Sequence, residues 1–130
     1  MTNQTDIASA KRTIDREVEA LRMMENQFDE NLTKALDMIQ ETKGRIIVTG
    51  MGKSGHIARK IAATLASTGT PSFFVHPAEA SHGDLGMIEP ADVVLALSNS
   101  GEAPELSDII AFCRRFDIKL IGMTARRDST

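Results

Sequence analysis

The sequence is short of the residues that build disulfides and aromatic surfaces. It contains one cysteine, no tryptophan and no tyrosine, with five phenylalanines. Because the single cysteine, Cys113, has no partner within the chain, an internal disulfide is excluded, and its apolar neighbours predict a buried thiol in a reducing compartment. The scarcity of aromatic rings also leaves little surface on which bases or sugars could stack.

The sequence also lacks an excess of positive charge and a long apolar run. Its formal net charge is −3, which argues against a nucleic-acid partner because a phosphate backbone requires a basic surface. No apolar run is long enough to span a bilayer, and the polar stretch Met1–Thr5 does not resemble a signal segment. These absences predict a cytoplasmic protein without a membrane partner. They do not exclude a small phosphate ligand, because the binding of such a ligand depends on the hydrogen-bond donors at the site itself and not on the net charge.

The first third of the chain has the periodicity of a helix. Its length of 130 residues, with 42% hydrophobic and 25% charged residues, is that of one globular domain. Apolar residues recur at spacings of three and four from Asp6 to about Thr42, and a break near residues 28–31 would divide the helix in two. Gly44 is the expected end of this segment. We therefore predict a helical arm over residues 1–44, with a stripe that packs on the core or on a second subunit.

The remaining residues, 45–130, alternate between strand and helix patterns. This alternation predicts an α/β fold, a doubly wound three-layer α/β/α sandwich with a mainly parallel sheet. The stretch 76–89 is predicted to be rich in loops. The predicted strands are Arg45–Thr49, Ser72–Val75, Val93–Leu97 and Lys119–Met123. Ligands of such sheets bind at the carboxyl ends of the strands, where both glycine-containing loops described below must lie.

The first of these loops follows the strand Val93–Leu97 and precedes a helix expected to open at Pro104. It carries the hydroxyls of Ser98 and Ser100 and the flexible backbone of Gly101. Unpaired N–H groups and a positive helix dipole favour an anion at such a junction, so the loop is predicted to cradle a phosphate. The alternative is a helix N-cap followed by a turn, which needs only one hydroxyl.

The second loop, Gly50–His56, matches the spacing G-x-G-x-x-G between a strand and a helix. A dinucleotide site would require an acid at the end of the next strand, where Val75-His76-Pro77 stands instead, and a P-loop would require a glycine at the position of Ile47. We favour a third interpretation. Lys53 and Ser54 lie at a helix N-terminus and converge with the serines of the other loop on one small phosphate. The alternative for Lys53 is a solvated surface lysine.

Together, four ordered motifs resemble the sugar isomerase (SIS) domain family. Within it they resemble the D-arabinose 5-phosphate isomerases of lipopolysaccharide and capsule synthesis. The resemblance runs from about Arg45 to the end of the chain and extends weakly into the helical arm. The motifs are Gly50–His56, Ser67–Pro77, His82–Gly86 and Ser98–Glu102.

The resemblance implies an aldose–ketose isomerase that interconverts D-ribulose 5-phosphate and D-arabinose 5-phosphate, a precursor of 3-deoxy-D-manno-octulosonate. It implies no required cofactor. It assigns catalysis to Lys53 and Glu105, and an inhibitory zinc ion to His82. Acids in a first helical turn are also favoured by the dipole alone, which is the alternative for Glu105. The predicted substrate-binding residues are Gly52, Ser54, Ser98, Asn99, Ser100, Gly101 and Glu102.

The chain departs from the family pattern in two places. Ala103 stands where many relatives carry a hydroxyl that touches the phosphate. The family's domain continues with further catalytic residues, and full-length isomerases usually add a pair of CBS domains, so the resemblance implies that this chain is the N-terminal part of such an enzyme. We expect a homo-oligomer, a dimer or tetramer. The alternatives to the isomerase are a non-catalytic sugar-phosphate-binding SIS module and, less favoured, an NAD-dependent oxidoreductase.

Overall fold

Four parallel strands form the sheet of this protein. The computed structural model describes residues 3–129, so Met1, Thr2 and Thr130 lie outside the described residues. The strands are ordered β2-β1-β3-β4, and all neighbours are parallel. This confirms the predicted parallel sheet. The strands are β1 (Ile46–Gly50), β2 (Ser72–Phe74), β3 (Val93–Leu97) and β4 (Lys119–Met123).

Helices connect the strands and precede them. Two short 3₁₀ turns, Asp84–Met87 and Pro104–Leu106, lie beside the longer elements. None of the described helices is long and apolar enough to cross a membrane. The α-helices are α1 (Asn3–Glu25), α2 (Glu30–Glu41), α3 (Gly52–Ser67), α4 (Pro77–Ser81) and α5 (Ser107–Phe116).

Two local expectations were wrong. The stretch 76–89 is not mainly loop, because Pro77 and the ring of His76 start the short helix α4 and a 3₁₀ turn follows it. The helix after β3 begins as an α-helix at Ser107 rather than at Pro104. The N–H of Leu106 donates to the carbonyl of Ala103 at 3.1 Å, and this i to i+3 bond tightens the turn into 3₁₀ geometry.

The chain divides by its internal contacts into two units, Met1–Lys34 and Ala35–Thr130. The predicted break in the helical arm is confirmed, since α1 ends at Glu25 and α2 begins at Glu30. The carboxylate of Asp29 accepts a hydrogen bond from the N–H of Asn31 at 2.9 Å, which is the way an aspartate starts a helix. No described residue of α1 is buried.

Both faces of the sheet are covered, which confirms the three-layer α/β/α arrangement. Ile47 and Val94 point to one face, where α5 packs through Ile109 and Cys113. The alternate residues of β1 and β3 point to the opposite face of the sheet. There they pack against α3, through Ala58 and the alanine one helical turn after it. All five residues of each of these strands are buried. This explains why their sequences are continuously apolar rather than alternating.

A buried carboxylate ties the amino ends of the two central strands together. Asp92 is 1% exposed, and its two oxygens accept hydrogen bonds from the N–H of Arg45 at 2.7 Å and from the N–H of Glu89 at 2.8 Å. The Arg45 guanidinium lies 3.5 Å from the same carboxylate. The pairing then runs without interruption from Ile46 opposite Val93 along both strands.

Candidate functional site

The two central strands end at the same level and send their connections to opposite faces. Gly50, the last residue of β1, pairs with Leu97, the last residue of β3. The chain leaves β1 through α3 on one face and leaves β3 through α5 on the other. In open parallel sheets the crevice between two such diverging connections is where ligands bind. Both loops singled out in the sequence lie at this point.

The first turn of α3 lies very close to the end of β1. A Cβ atom on Gly50 would lie 3.0 Å from the backbone of Ser54, and one on Gly55 would lie 2.6 Å from the Gly50 carbonyl oxygen. Gly52 has a φ angle of +59°, in the left-handed region that favours glycine. Met51, which precedes the helix, makes no side-chain capping bond. The first N–H groups of α3 therefore face the crevice without a side-chain cap.

Internal hydrogen bonds fold the loop after β3 into a turn. The Oγ of Ser98 accepts from the N–H of Gly101 at 3.1 Å, and the Oγ of Ser100 accepts from the N–H of Glu102 at 3.1 Å. Gly101 has a φ angle of +72°, which the turn requires. Since a hydroxyl accepts and donates at once, each serine that accepts within the loop keeps its own proton for a ligand.

Three of the predicted hydroxyls come together in one cleft of about 320 Å³. Ser54 reaches it from α3, while Ser98 and Ser100 reach it from the loop after β3. This volume is at the lower end of the range of about 300–1,000 Å³ that small-molecule sites occupy. The structure thus brings the two loops together, and their role as phosphate ligands stays a prediction. The cleft is lined by Met51, Ser54, Leu97, Ser98, Asn99, Ser100 and Ala103.

The other predicted site residues lie around this cleft rather than in its lining. Lys53 is exposed beside Ser54, and it forms no ion pair with a described residue. Gly52 lines a neighbouring cleft on the β2 side, and Gly101 lines another on the β4 side. Glu102 is exposed and takes part in the loop through its N–H.

The two remaining candidates are less favourably placed. Glu105 is exposed, lies in the 3₁₀ turn and does not line the serine cleft. His82 is exposed at the end of α4, where its N–H donates to the carbonyl of Glu79 at 3.0 Å. Within residues 3–129, no group of three or more His, Cys, Asp or Glu side chains is placed to hold a metal ion. A zinc ion at His82 stays a prediction.

Sequence reasoning overlooked the segment that follows β4. Thr124 and Ala125 line a second cleft of about 220 Å³ together with Ser54, Ser98 and Asn99. The N–H of Ala125 donates to the carbonyl of Asn99 at 3.1 Å, which fixes this segment against the serine loop. The order of strands could have indicated this segment. Since β4 is parallel to β3, its carboxyl end must lie at the same edge of the sheet as the serine loop.

Known proteins share this sequence over most of its length. The family model of the SIS domain matches residues 38–130. The arabinose 5-phosphate isomerase KdsD of Pseudomonas aeruginosa is 54% identical over 123 residues, which is 95% of this chain and 38% of that protein. The KdsD of Yersinia pestis is 51% identical, over 94% of this chain and 37% of that protein.

A solved structure has the same fold over the full length of this chain. The Escherichia coli CFT073 protein c3406, in complex with arabinose 5-phosphate, aligns with a TM-score of 0.93 at 40% identity and covers 100% of this chain and 69% of that one. This chain spans little more than a third of the curated relatives, at 38% of the Pseudomonas protein. The family match covers most of the described residues, including the β-strands and both loops of the crevice. The chain belongs to the SIS domain family.

Proposed function

We propose that this chain provides the sugar-phosphate site of an aldose–ketose isomerase that interconverts D-ribulose 5-phosphate and D-arabinose 5-phosphate. The observation that carries the proposal is the cleft in which Ser54, Ser98 and Ser100 meet at the switch point of the sheet. The names of the curated relatives at 54% and 51% identity support the choice of substrate. The product would serve as a precursor of 3-deoxy-D-manno-octulosonate.

The cleft offers what a phosphate monoester needs. Three hydroxyl protons and the uncapped first turn of α3 supply donors, and hydrogen bonds to an ionised acceptor are stronger than those between neutral groups. The ammonium group of Lys53 lies on the same turn of helix and is not neutralised by any described carboxylate. The alanine at position 103 lines the cleft, so the hydroxyl of many relatives would have faced the ligand.

Isomerisation requires a base and a group that stabilises negative charge. The base removes the proton on C2 of the aldose, and the C2–H electrons form the C1–C2 double bond of an enediolate. A proton then returns to C1, the oxygen on C2 becomes the carbonyl, and the oxygen on C1 becomes a hydroxyl. We assign the base to Glu105 and the stabilisation of the enediolate to Lys53. No cofactor takes part.

Glu105 must approach the ligand for this assignment to hold. Its carboxylate is exposed, in the turn that directly follows the cleft residue Ala103. An exposed carboxylate in a short 3₁₀ turn can reorient at small cost when a sugar fills the cleft. The assignment predicts that Glu105→Gln abolishes proton removal but leaves phosphate binding intact, whereas Asp108→Asn, at an exposed position in the first turn of α5, changes neither.

The reaction is best tested through its first step. Incubating the chain with D-arabinose 5-phosphate in D₂O and recording proton NMR spectra detects exchange of the C2 proton even when little ketose accumulates. We expect exchange with the wild-type chain and none with Lys53→Ala. The control is Lys60→Ala, which removes an exposed lysine two turns further along α3 and should leave the exchange unchanged. Saturable binding without any exchange in the wild-type chain would reject the isomerase and support the non-catalytic binding module.

The proposal extends to location and assembly. A cytoplasmic protein is supported by the single buried cysteine, since a reducing compartment preserves the free thiol. Self-association into a homo-oligomer is supported by β4, which lies at the edge of the described sheet and pairs with β3 alone. Light scattering coupled to size-exclusion chromatography tests this directly, and a monomer at micromolar concentration would reject it.

A further inference from the structure

Thr49 is a fully buried polar side chain that the proposed chemistry does not use. It is the last residue but one of β1, and none of its surface is exposed (0%). Its hydroxyl donates to the carbonyl of Val75 at 2.6 Å. A valine would fill the same space without a polar group to bury. The hydroxyl is therefore explained by its bond to Val75 and not by packing.

This bond lies where the backbone pairing of β1 and β2 stops. The N–H of Val75 donates to the carbonyl of Val48 at 3.0 Å. In a parallel pair every second residue directs its N–H to the same neighbouring strand, so the next donor toward β1 would be at position 77. Position 77 is a proline, which has no N–H. The Thr49 hydroxyl thus holds the chain at the point beyond which the ladder cannot continue.

The chain leaves the sheet immediately after Val75. Helix α4 follows His76, whose Nδ1 accepts a hydrogen bond from the N–H of Ala78 at 3.1 Å. Val75 is buried in the core on the α5 face, and Thr49 points to this face because it lies two residues after Ile47. The Thr49 bond therefore fixes the carbonyl from which the chain turns away from β2.

The end of β2 forms one wall of the crevice. A cleft of about 230 Å³ lies between this end and the first turns of α3, next to the serine cleft. We treat it as part of the same candidate site. It is lined by glycines of the loop after β1 and by His56, Arg59, Phe74 and His76.

The same end of β2 packs on the first turns of α3. The Cζ atom of Arg59 lies 4.1 Å from the centroid of the Phe74 ring. A Cβ atom on Gly55 would lie 3.8 Å from the same ring, which is ordinary van der Waals contact. The ring of His76 stands edge-on to Phe74, with centroids 6.2 Å apart. A shift of the β2 end therefore reaches α3 through Phe74.

We propose that Thr49 is a positioning residue for the candidate site. Its hydroxyl holds the end of β2, the end of β2 supports the first turn of α3, and this turn presents Lys53 and Ser54 to the crevice. Thr49 itself lines neither cleft, so it acts without touching a ligand. Its effect on isomerisation rests on the proposed function, whereas its effect on the position of β2 does not.

NMR tests the positional effect without any ligand. In Thr49→Val, the nuclear Overhauser effect between the Phe74 ring and the α protons of Gly55 should weaken. The Val75 amide should exchange with solvent about tenfold faster, as expected for the loss of a buried hydrogen bond. Thr49→Ser keeps the hydroxyl and should restore both signals.

A matched control removes a bond of the same kind from the same pair of strands. The Ser72 hydroxyl donates to the carbonyl of Ile46 at 2.8 Å, at the opposite end of β2. Ser72→Ala should leave the Phe74–Gly55 signal unchanged and the exchange of the Val75 amide within about threefold. Equal changes in Ser72→Ala and Thr49→Val, or no change in Thr49→Val, would overturn the proposal.

Two further readouts test the consequence for the site. The rate of C2-proton exchange at saturating D-arabinose 5-phosphate should fall at least about tenfold in Thr49→Val, because small displacements of reacting groups are costly. It should stay within about threefold of the wild-type rate in Thr49→Ser and Ser72→Ala. The Kd for inorganic phosphate, which requires no isomerisation, should rise in Thr49→Val alone.

These readouts separate the two proposals. A wild-type chain that binds phosphate without C2-proton exchange would reject the isomerase, and the Kd for phosphate would still decide the role of Thr49. A Kd and a rate that Thr49→Val leaves unchanged would mean that the Thr49 bond is structural only. The pair Thr49→Ser and Thr49→Ala, which differ by the hydroxyl alone, repeats the comparison if Thr49→Val does not fold.

Discussion

The carbonyl oxygen of Gly50 lies 2.6 Å from the point that a Cβ atom on Gly55 would occupy. The first turn of α3 can rest on the end of β1 only because neither residue has a side chain. Ser54 lies on this turn and reaches the cleft shared with Ser98 and Ser100 as a result. The spacing of the glycines therefore sets the position of the hydroxyls.

We predict that Gly55→Ala displaces the first turn of α3. The new methyl group meets backbone rather than a movable side chain, so the free energy of unfolding should fall by about 1–3 kcal/mol. Affinity for a sugar phosphate should fall with it, because Ser54 moves away from the serine loop. Chemical denaturation measures the first effect and calorimetric titration the second. Gly86→Ala is the control, since a Cβ there has nothing within 4 Å.

Restoring a hydroxyl at position 103 should strengthen the site. Ala103 is half-buried and lines the serine cleft, so Ala103→Ser adds a donor to the ligand's phosphate with little change in volume. A hydrogen bond to a charged acceptor contributes about 1.5–3 kcal/mol, which corresponds to a Kd lower by about tenfold or more. Ala111→Ser on the exposed side of α5 should leave the Kd unchanged. An unchanged Kd in Ala103→Ser would mean that the phosphate lies elsewhere.

The buried carboxylate of Asp92 should be needed for stability. Both of its oxygens accept backbone N–H groups, at 2.7 Å from Arg45 and 2.8 Å from Glu89. Asp92→Asn turns one acceptor into a donor that faces a donor. It also removes the ion-pair partner of the Arg45 guanidinium, which keeps its hydrogen bond to the Met87 carbonyl. We expect a loss of about 1–3 kcal/mol in chemical denaturation. Asp37→Asn, on an exposed position of α2, should cost almost nothing.

Cys113 should make the stability depend on pH in the alkaline range. Burial raises the pKa of its thiol from 9.0 to about 11. Between these values the unfolded chain loses the proton while the folded chain keeps it, so ionisation favours unfolding. The stabilising effect of the neutral thiol is therefore complete below pH 9.0 and is lost as the pH rises toward about 11.

The measurement is the free energy of unfolding as a function of pH, for the wild-type chain and for Cys113→Ala. A decline in the free energy of unfolding that only the wild-type chain shows is due to the Cys113 thiol, since the other groups titrate in both proteins. Alkylation of the folded chain at pH 8 should also be slow, because the thiolate is the reactive form. Rapid labelling without unfolding would contradict the burial of Cys113.

The sequence alone predicted the sheet well and its loops less well. The continuous apolar run located β3 to the residue, because a strand buried on both faces has no competing pattern. The bounds of β4 were also predicted to the residue, although it lies at the edge of the described sheet and none of its residues is buried. The helix α4 was missed because it is only five residues long, too short for an apolar period. The start of α5 was placed too early because Pro104 suits a 3₁₀ turn as well as an α-helix.

The candidate site could also be predicted only in part from the sequence. The meeting of Ser54 with the serines after β3 could be predicted, since parallel topology places both loops at one edge. The location of Glu105 outside the cleft lining could not be predicted, because it depends on whether a single turn adopts 3₁₀ or α-helical geometry. The cleft around Arg59 could not be predicted either. It depends on a stack between side chains of two different elements, α3 and β2, and no local sequence pattern predicts such a contact.

The most direct test of the central claim is calorimetric titration in phosphate-free buffer. D-arabinose 5-phosphate and D-ribulose 5-phosphate are each added to the wild-type chain, to the variant with Ser98→Ala and Ser100→Ala, and to Ser107→Ala, a serine just outside the site. Inorganic phosphate and NAD serve as comparison ligands. The account predicts that both pentose phosphates bind more tightly than inorganic phosphate, and that this advantage is lost in the double variant and kept in Ser107→Ala. Equal affinities in all three proteins, or binding of NAD alone, would contradict it.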